Sequence, residues 1–230
     1  MTNDPYTGTE NLEVMKEAVN YNRMLIDLVK SHARTGERVL DFGAGVGTFA
    51  IPMQRDGYTV ECVELDDAQR AMLAAQGLTV HRTLDGVREN SVDFVYTLNV
   101  LEHIHDDVGT LRDIARRLRN DGRLLVYVPA FRVLFTRMDE RVGHLRRYRR
   151  NDLRAKVEAA GFDVVTNDYV DSLGFLATLV YRVTGPSSGT INRGALRAYD
   201  RYVFPMSRRL DLALRHVIGK NLLLIARKRG

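Results

Sequence analysis

The stretch VLDFGAGVGTFA, residues 39–50, restricts the fold more than any other part of the chain. A short apolar run, Val39 and Leu40, ends in an acid, Asp41; glycines follow at Gly43, Gly45 and Gly47, and then a helix-compatible run begins. This is the pattern of a buried parallel strand, a tight turn and a helix N-terminus. Glycine permits a positive φ in the turn, and its missing Cβ lets a ligand approach the backbone. A dinucleotide fingerprint of the form G-x-G-x-x-G needs its last glycine at position 48, where this chain has Thr48. The third glycine comes one place early.

A second acid strengthens the pattern. Residues 58–64, YTVECVE, alternate as a second strand ending in Glu64, about 20 residues beyond the glycines, where a carboxylate can accept both hydroxyls of a ribose. Asp41, the three glycines and Glu64 together resemble motif I of the class I S-adenosylmethionine-dependent methyltransferases. Residues 92–103, VDFVYTLNVLEH, are similar to motif IV of the small-molecule members, which commonly ends in LEH. The resemblance implies S-adenosyl-L-methionine as cofactor and S-adenosyl-L-homocysteine as product. It places Asp41, Gly43, Gly45, Gly47, Glu64, Leu65, Leu84, Asp85 and Asn99 against the cofactor, with the adenine near residues 83–85.

Taken in order, the chain reads as one domain of α/β class. Apolar residues at three- and four-residue steps predict a helix over 11–32, where the resemblance implies a cap helix over the cofactor, with Tyr6 and Tyr21 in that lid or in the core. Strands are expected at 38–42, 58–64, 78–81, 91–99 and 123–128. Between them lie helices at 48–55, at 68–76 with Asp67 as N-cap, and at 106–119, and then a turn at Asn120, Asp121 and Gly122. Repeated βα units with short connections force a parallel sheet with right-handed crossovers. Ligands in such sheets bind outside the carboxyl ends of the strands, where Asp41, Glu64, Asp85 and Asn99 all fall. Residues 129–148 do not read as core. A helix at 151–160, a strand at 162–170, an apolar run at 173–183, a flexible loop at 184–190, a helix broken near Pro205 and an antiparallel strand at 221–226 complete the pattern. The expected architecture is a Rossmann-like, seven-stranded, mostly parallel doubly wound sheet with an N-terminal cap helix (1–34), a cofactor-binding core (35–170), a C-terminal helical insertion or lid (171–218) and a last strand (219–230).

Methyl transfer is an in-line displacement from a sulfonium, so the protein has mainly to position the acceptor and manage one proton. No metal is expected. His103, His105 and His144 are the candidate bases, because histidine titrates near neutral pH; His103 and His144 are preferred. Residues 128–130 (VPA) and 138–148 (MDERVGHLRRY) resemble a VPA…DE..GH.RRY signature of a bacterial subgroup associated with envelope, polysaccharide and natural-product pathways. The subgroup implies that Asp139, His144, Arg146, Arg147 and Tyr148 face a small-molecule or lipid- or saccharide-linked acceptor, most simply for O-methylation. A loop held by an Asp139–Arg pair is the structural alternative.

Composition bounds the partners. The net charge is +5 with a pI near 9.4, and Arg132, Arg137, Arg141, Arg146, Arg147, Arg149, Arg150 and Arg154 crowd one segment. Such a patch suits phosphate, nucleic acid or an anionic membrane surface, or is a solvated face. A nucleic-acid methyltransferase is therefore one alternative. Base N-methylation usually uses an Asn/Asp-Pro-Pro-aromatic turn, whereas this chain has Asn99, Val100, Leu101 and Glu102 there. No specific nucleic-acid binding is expected; peripheral membrane contact through 173–183 and the basic helix at 194–217 is open, as is a monomer or a homodimer. A non-catalytic cofactor-binding protein is a second alternative, and a nicotinamide oxidoreductase is disfavoured by the glycine spacing. A lone cysteine, Cys62, no signal-peptide pattern and no apolar run of about 18 residues point to the cytoplasm.

Overall fold

The computed structural model describes residues 14–186, 190 and 192–230. The chain order is α1 (Val19–His32), β1 (Arg38–Phe42), α2 (Ala50–Arg55), β2 (Thr59–Val63), α3 (Asp67–Ala75), β3 (Thr79–His81), β4 (Val92–Leu98), α4 (Asp107–Arg117) and β5 (Leu118–Pro129). It continues with α5 (Arg137–Arg141), α6 (Arg150–Ala159), β6 (Phe162–Val170), α7 (Ser172–Thr184), α8 (Arg193–Ala198), α9 (Phe204–Leu214) and β7 (Asn221–Lys228). The strands form one seven-stranded sheet in the order β3-β2-β1-β4-β5-β7-β6. β7 runs antiparallel to both of its neighbours, and the other pairings are parallel. The expected sheet, including its antiparallel last strand, is present.

Strand alternation divides the core into two layers. Leu40, Val95, Leu124 and Val126 meet Leu111 and Ile114 of α4 and Leu153 and Val157 of α6 on one face. Val39, Phe94, Tyr96, Leu125 and Tyr127 meet Leu25 and Val29 of α1, Met53 of α2 and Leu73 of α3 on the other. Burial on both faces explains why these strands read as near-continuous apolar runs. The strand order reverses between β1 and β4, so the crevice opens between the glycine turn after β1 and the Asn99 turn after β4.

Several boundaries differ from expectation. Helix α1 begins at Val19, after a turn at Lys16 and Glu17, and it flanks the sheet; its first turn reaches the carboxyl edge, where Tyr21 packs edge-on against Tyr127 and Phe204. Tyr6, residues 11–13 and the loop residues 187–189 lie outside the described residues. The N-cap of α3 is Asp66, not Asp67: the Asp66 carboxylate accepts from Gln69 N–H, while Asp67 pairs with Arg70. Asn120, Asp121 and Gly122 do not separate helix from strand. They form an irregularity within β5, where the partner of β4 jumps from Leu118 to Arg123 and Asp121 takes φ 61°. Residues 129–148 are partly core after all, with Leu134, Asp139, Val142 and Tyr148 buried. The break near Pro205 is a π-helical turn (Tyr199–Val203) that runs directly into α9; Pro205 has no N–H to give a carbonyl of that turn, and the Asp200 carbonyl accepts from Asn20 Nδ2 instead.

Candidate active site

The glycine turn does three separate things. Gly43 takes φ +84°, and a Cβ on it would stand 2.4 Å from Val100 Cγ2, so this glycine lets the turn after β4 close over the turn after β1. A Cβ on Gly47 would meet Ile51 and Leu73 at under 3 Å, so that glycine seats the turn on α2 and α3. Gly45 differs: with φ +55°, a Cβ there would find only the Gln69 amide oxygen, 3.6 Å away. Open space beside a left-handed glycine is the cradle a ligand would fill.

Glu64, directly after β2, ties this cradle together. Its Oε2 accepts from Gly45 N–H at 2.7 Å and its Oε1 from Asp66 N–H at 2.9 Å. A carboxylate has about four acceptor sites, so each oxygen keeps capacity for a further hydroxyl. Leu65, next in the chain, is 68% exposed, an apolar surface beside the cradle with nothing packed on it among the described residues. Leu84 is buried on a 3₁₀ turn, whereas the Asp85 side chain is 89% exposed and pairs with Arg117 at 3.2 Å. Asn99 takes φ 56° and its N–H bonds the Tyr127 carbonyl, fixing the turn that faces the glycines. These positions fit a nucleoside with a charged tail.

Asp41 lies beside Tyr96 in register and accepts from its hydroxyl at 2.9 Å. Burial, against the Tyr96 hydrogen bond and reinforced by the Glu64 charge, pushes the Asp41 carboxyl up to about 7. Between the unfolded value of 3.8 and about 7 the native state holds a proton that the unfolded chain has released. This group therefore makes stability fall as pH rises through that window and level off above it. Urea unfolding from pH 5 to 7.5 should show that slope in the wild type and a flatter one in Asp41→Asn.

The second half of the site is built by residues 99–107 and 129–148. The Asp139 carboxylate accepts from Thr136 N–H and Oγ1 and from Arg147 Nε and Nη2, all at 2.8–3.0 Å. It also meets His144 Nδ1 at 2.7 Å. Burial opposes its charge, yet His144, Arg147 and the Thr136 N–H together hold the carboxyl well below the usual range. The ionised Asp139 accepts from the Nδ1 side of His144 and orients the ring, with Nε2 on its far edge. His103 lies 4.7 Å from His144, ring centre to ring centre, at 78°. Burial and the neighbouring His144 pull the His103 imidazole down to about 4, which leaves it neutral and a weak base. His105 is exposed.

The resemblance set Asp139, Arg146, Arg147 and Tyr148 against an acceptor; the structure gives each an internal partner. Asp139 and Arg147 pair with each other behind His144. Arg146 Nη1 and the Tyr148 hydroxyl converge on Asp107 Oδ2 at 2.8 and 2.9 Å, and Lys156 holds Oδ1 at 2.7 Å. Tyr148 is 2% exposed and also bonds the Leu101 carbonyl. Those contacts tie the 144–148 loop to the turn carrying His103. Accordingly Tyr148→Phe should destabilise the fold by about 1.5–3 kcal/mol, the scale of a hydrogen bond to a charged group, measured by urea unfolding. Unchanged stability would mean that the hydroxyl is not a clamp. The arginine cluster is likewise not one free patch, since Arg146, Arg147 and Arg154 are paired with acids.

Comparisons with known proteins bear on the family and the fold. The sequence profile of a methyltransferase domain family matches residues 15–167. An uncharacterized methyltransferase, YcgJ of Bacillus subtilis strain 168, is 30% identical over 134 residues, 52% of this chain and 51% of that one. A demethylmenaquinone methyltransferase of Corynebacterium glutamicum strain R is 32% identical over 98 residues, 40% of this chain and 42% of its own. The chain thus spans about half the length of the curated relatives it matches. Among solved structures, phosphoethanolamine N-methyltransferase 2 of Haemonchus contortus, in complex with S-adenosyl-L-methionine, superposes with a TM-score of 0.61. That match has 19% identity and covers 92% of this chain and 53% of that one, a likeness of fold alone.

Proposed function

Since the chain belongs to the methyltransferase domain family, we propose that it transfers a methyl group from S-adenosyl-L-methionine to a small-molecule or lipid- or saccharide-linked acceptor, most simply at a hydroxyl. The observation that carries this reading is the Glu64 carboxylate bound to the N–H of Gly45, the one glycine of the 43–47 turn whose Cβ would enter open space. Gly45 and Glu64 hold the cofactor, with Asp41, Leu65, Leu84 and Asn99 around them; Asp85, turned to Arg117, contributes through its backbone. The acceptor is met from the other half of the sheet by His144 and His103. In the reaction the acceptor oxygen attacks the sulfonium methyl in line, the C–S electron pair goes to sulfur, and the acceptor proton leaves. His144 Nε2, on a ring oriented by the Asp139 contact at Nδ1, is the group that takes that proton.

The VPA…GH.RRY loop supports placing the chain among bacterial enzymes of envelope or natural-product chemistry. No helix among the described residues is long and apolar enough to cross a membrane. Calorimetry should show S-adenosyl-L-homocysteine binding to the purified protein at one site per chain. No heat and no thermal shift with either that ligand or S-adenosyl-L-methionine would remove the proposal. A nucleic-acid substrate would instead show itself as sequence-dependent binding that persists at physiological salt, because binding by counterion release alone fades there.

A further inference from the structure

Glu102 is fully buried, and neither of its carboxylate oxygens has a hydrogen-bond partner. Methyl transfer as set out above gives this side chain no task. A buried carboxyl without a partner costs folding free energy, and its retention calls for a group that satisfies it. Its surroundings name the missing group. Glu102 Oε1 stands 3.7 Å from His144 Nε2, and His103, next in the chain, stacks edge-on against the same imidazole. One ligand atom from each of Glu102, His103 and His144 lies within 4.8 Å of the other two.

We propose that Glu102, His103 and His144 bind one divalent first-row transition ion. Ligand atoms held by one tetrahedral ion at 2.0–2.2 Å lie about 3.4 Å apart, so a cluster whose ligand atoms lie within 4.8 Å of one another needs to close by up to roughly 1.4 Å. Two imidazoles with a single carboxylate suit Zn(II) or Fe(II) better than Mg(II) or Ca(II), which take oxygen ligands. The outer contacts are already of the metal-site kind. Asp139 accepts the Nδ1 proton of His144 and aims Nε2 inward, and Asp139 is itself clamped by Arg147 and Thr136. Three protein ligands leave a fourth position for an oxygen of the acceptor. This inference rests on the reading of the cluster as the acceptor side of the site and refines it. With the ion bound, the Nε2 lone pair goes to the metal; the ligated acceptor oxygen loses its proton to water and attacks the methyl carbon as the C–S bond breaks.

The test is Zn²⁺ titration of chelator-stripped protein by calorimetry, with Co²⁺ as the optical probe for a four-coordinate site. One ion per chain is expected. Glu102→Gln, His103→Ala and His144→Ala should each weaken Zn²⁺ binding by at least about tenfold, and Asp139→Asn by roughly 10–100-fold. His105→Ala, an exposed histidine on the adjoining loop, should change nothing. S-adenosyl-L-homocysteine binding on the same samples reports that each variant is folded, and His144→Gln replaces any variant that is not. The proposal is overturned if the wild type takes up no ion, or if all three ligand variants bind Zn²⁺ as tightly as the wild type. Ion uptake without S-adenosyl-L-homocysteine binding would sink the methyltransferase reading while leaving the metal site standing.

Discussion

Gly45→Val should lower affinity for S-adenosyl-L-homocysteine by more than about 100-fold, or about 2.8 kcal/mol, in protein that still folds. The expectation follows from where the new atoms go. At Gly45 a Cβ meets nothing but Gln69 at 3.6 Å, so the valine branches project into the space assigned to the cofactor rather than into the protein. The φ of +55° adds a backbone penalty of roughly 1–2 kcal/mol, which lowers stability without unfolding a domain of this size. Gly43→Val is the contrasting variant. There the Cβ runs into Val100 at 2.4 Å, and the damage should appear as lost stability before any binding can be measured. Glu64→Gln refines the picture. Its oxygen can keep one of the two backbone donors, but its amide N–H₂ then faces the other donor, so binding should weaken by about 1.5–3 kcal/mol, less than for Gly45→Val. If Gly45→Val binds like the wild type by calorimetry, the cofactor does not cross the glycine turn and the site has been placed wrongly.

The first half of this site was legible in the sequence because backbone constraints leave marks on residue identity. A left-handed turn demands glycine, and a buried parallel strand demands an apolar run, so the positions of Asp41 in β1, Gly45 in the turn and Glu64 after β2 follow from the pattern. The second half was less legible. The motif holding Asp139, Arg146, Arg147 and Tyr148 points to an acceptor, whereas each of these side chains has an internal partner, and a sequence does not say which of the two a charged side chain faces. Asp107 drew no notice, although Arg146, Tyr148 and Lys156 all converge on it from across the fold. Glu102 was visible only as the middle letter of LEH. Its burial beside His144 depends on the 129–148 segment folding back over the end of β4, through Leu145 N–H to the Glu102 carbonyl at 2.8 Å. No local periodicity encodes that contact. The same holds for the irregularity in β5: an Asn-Asp-Gly sequence signals a turn, and the pull of pairing with β4 on both sides keeps it in the strand.

His144→Ala should leave S-adenosyl-L-homocysteine affinity within a factor of a few and reduce methyl transfer by about 10²–10⁴-fold, the range for losing a positioned proton-transfer group. The separation arises from the topology. Gly45 and Glu64 belong to the turns after β1 and β2, whereas His144 follows β5, on the other side of the point where strand order reverses. The substitution removes a ring that meets Asp139, Glu102 and His103, and none of the glycine-turn residues is among these contacts. Cofactor affinity and turnover should therefore part, and kcat rather than KM should carry the loss, because the interaction matters most in the transition state. Asp139→Asn should follow the same course less steeply, since the imidazole remains but its tautomer is no longer fixed. A chelator then decides what His144 does: activity that survives stripping and still needs His144 marks a base, and activity restored by added Zn²⁺ marks a ligand. Loss of cofactor binding in His144→Ala, or turnover equal to the wild type with the true acceptor, would show that the loop after β5 is scaffold and not active site.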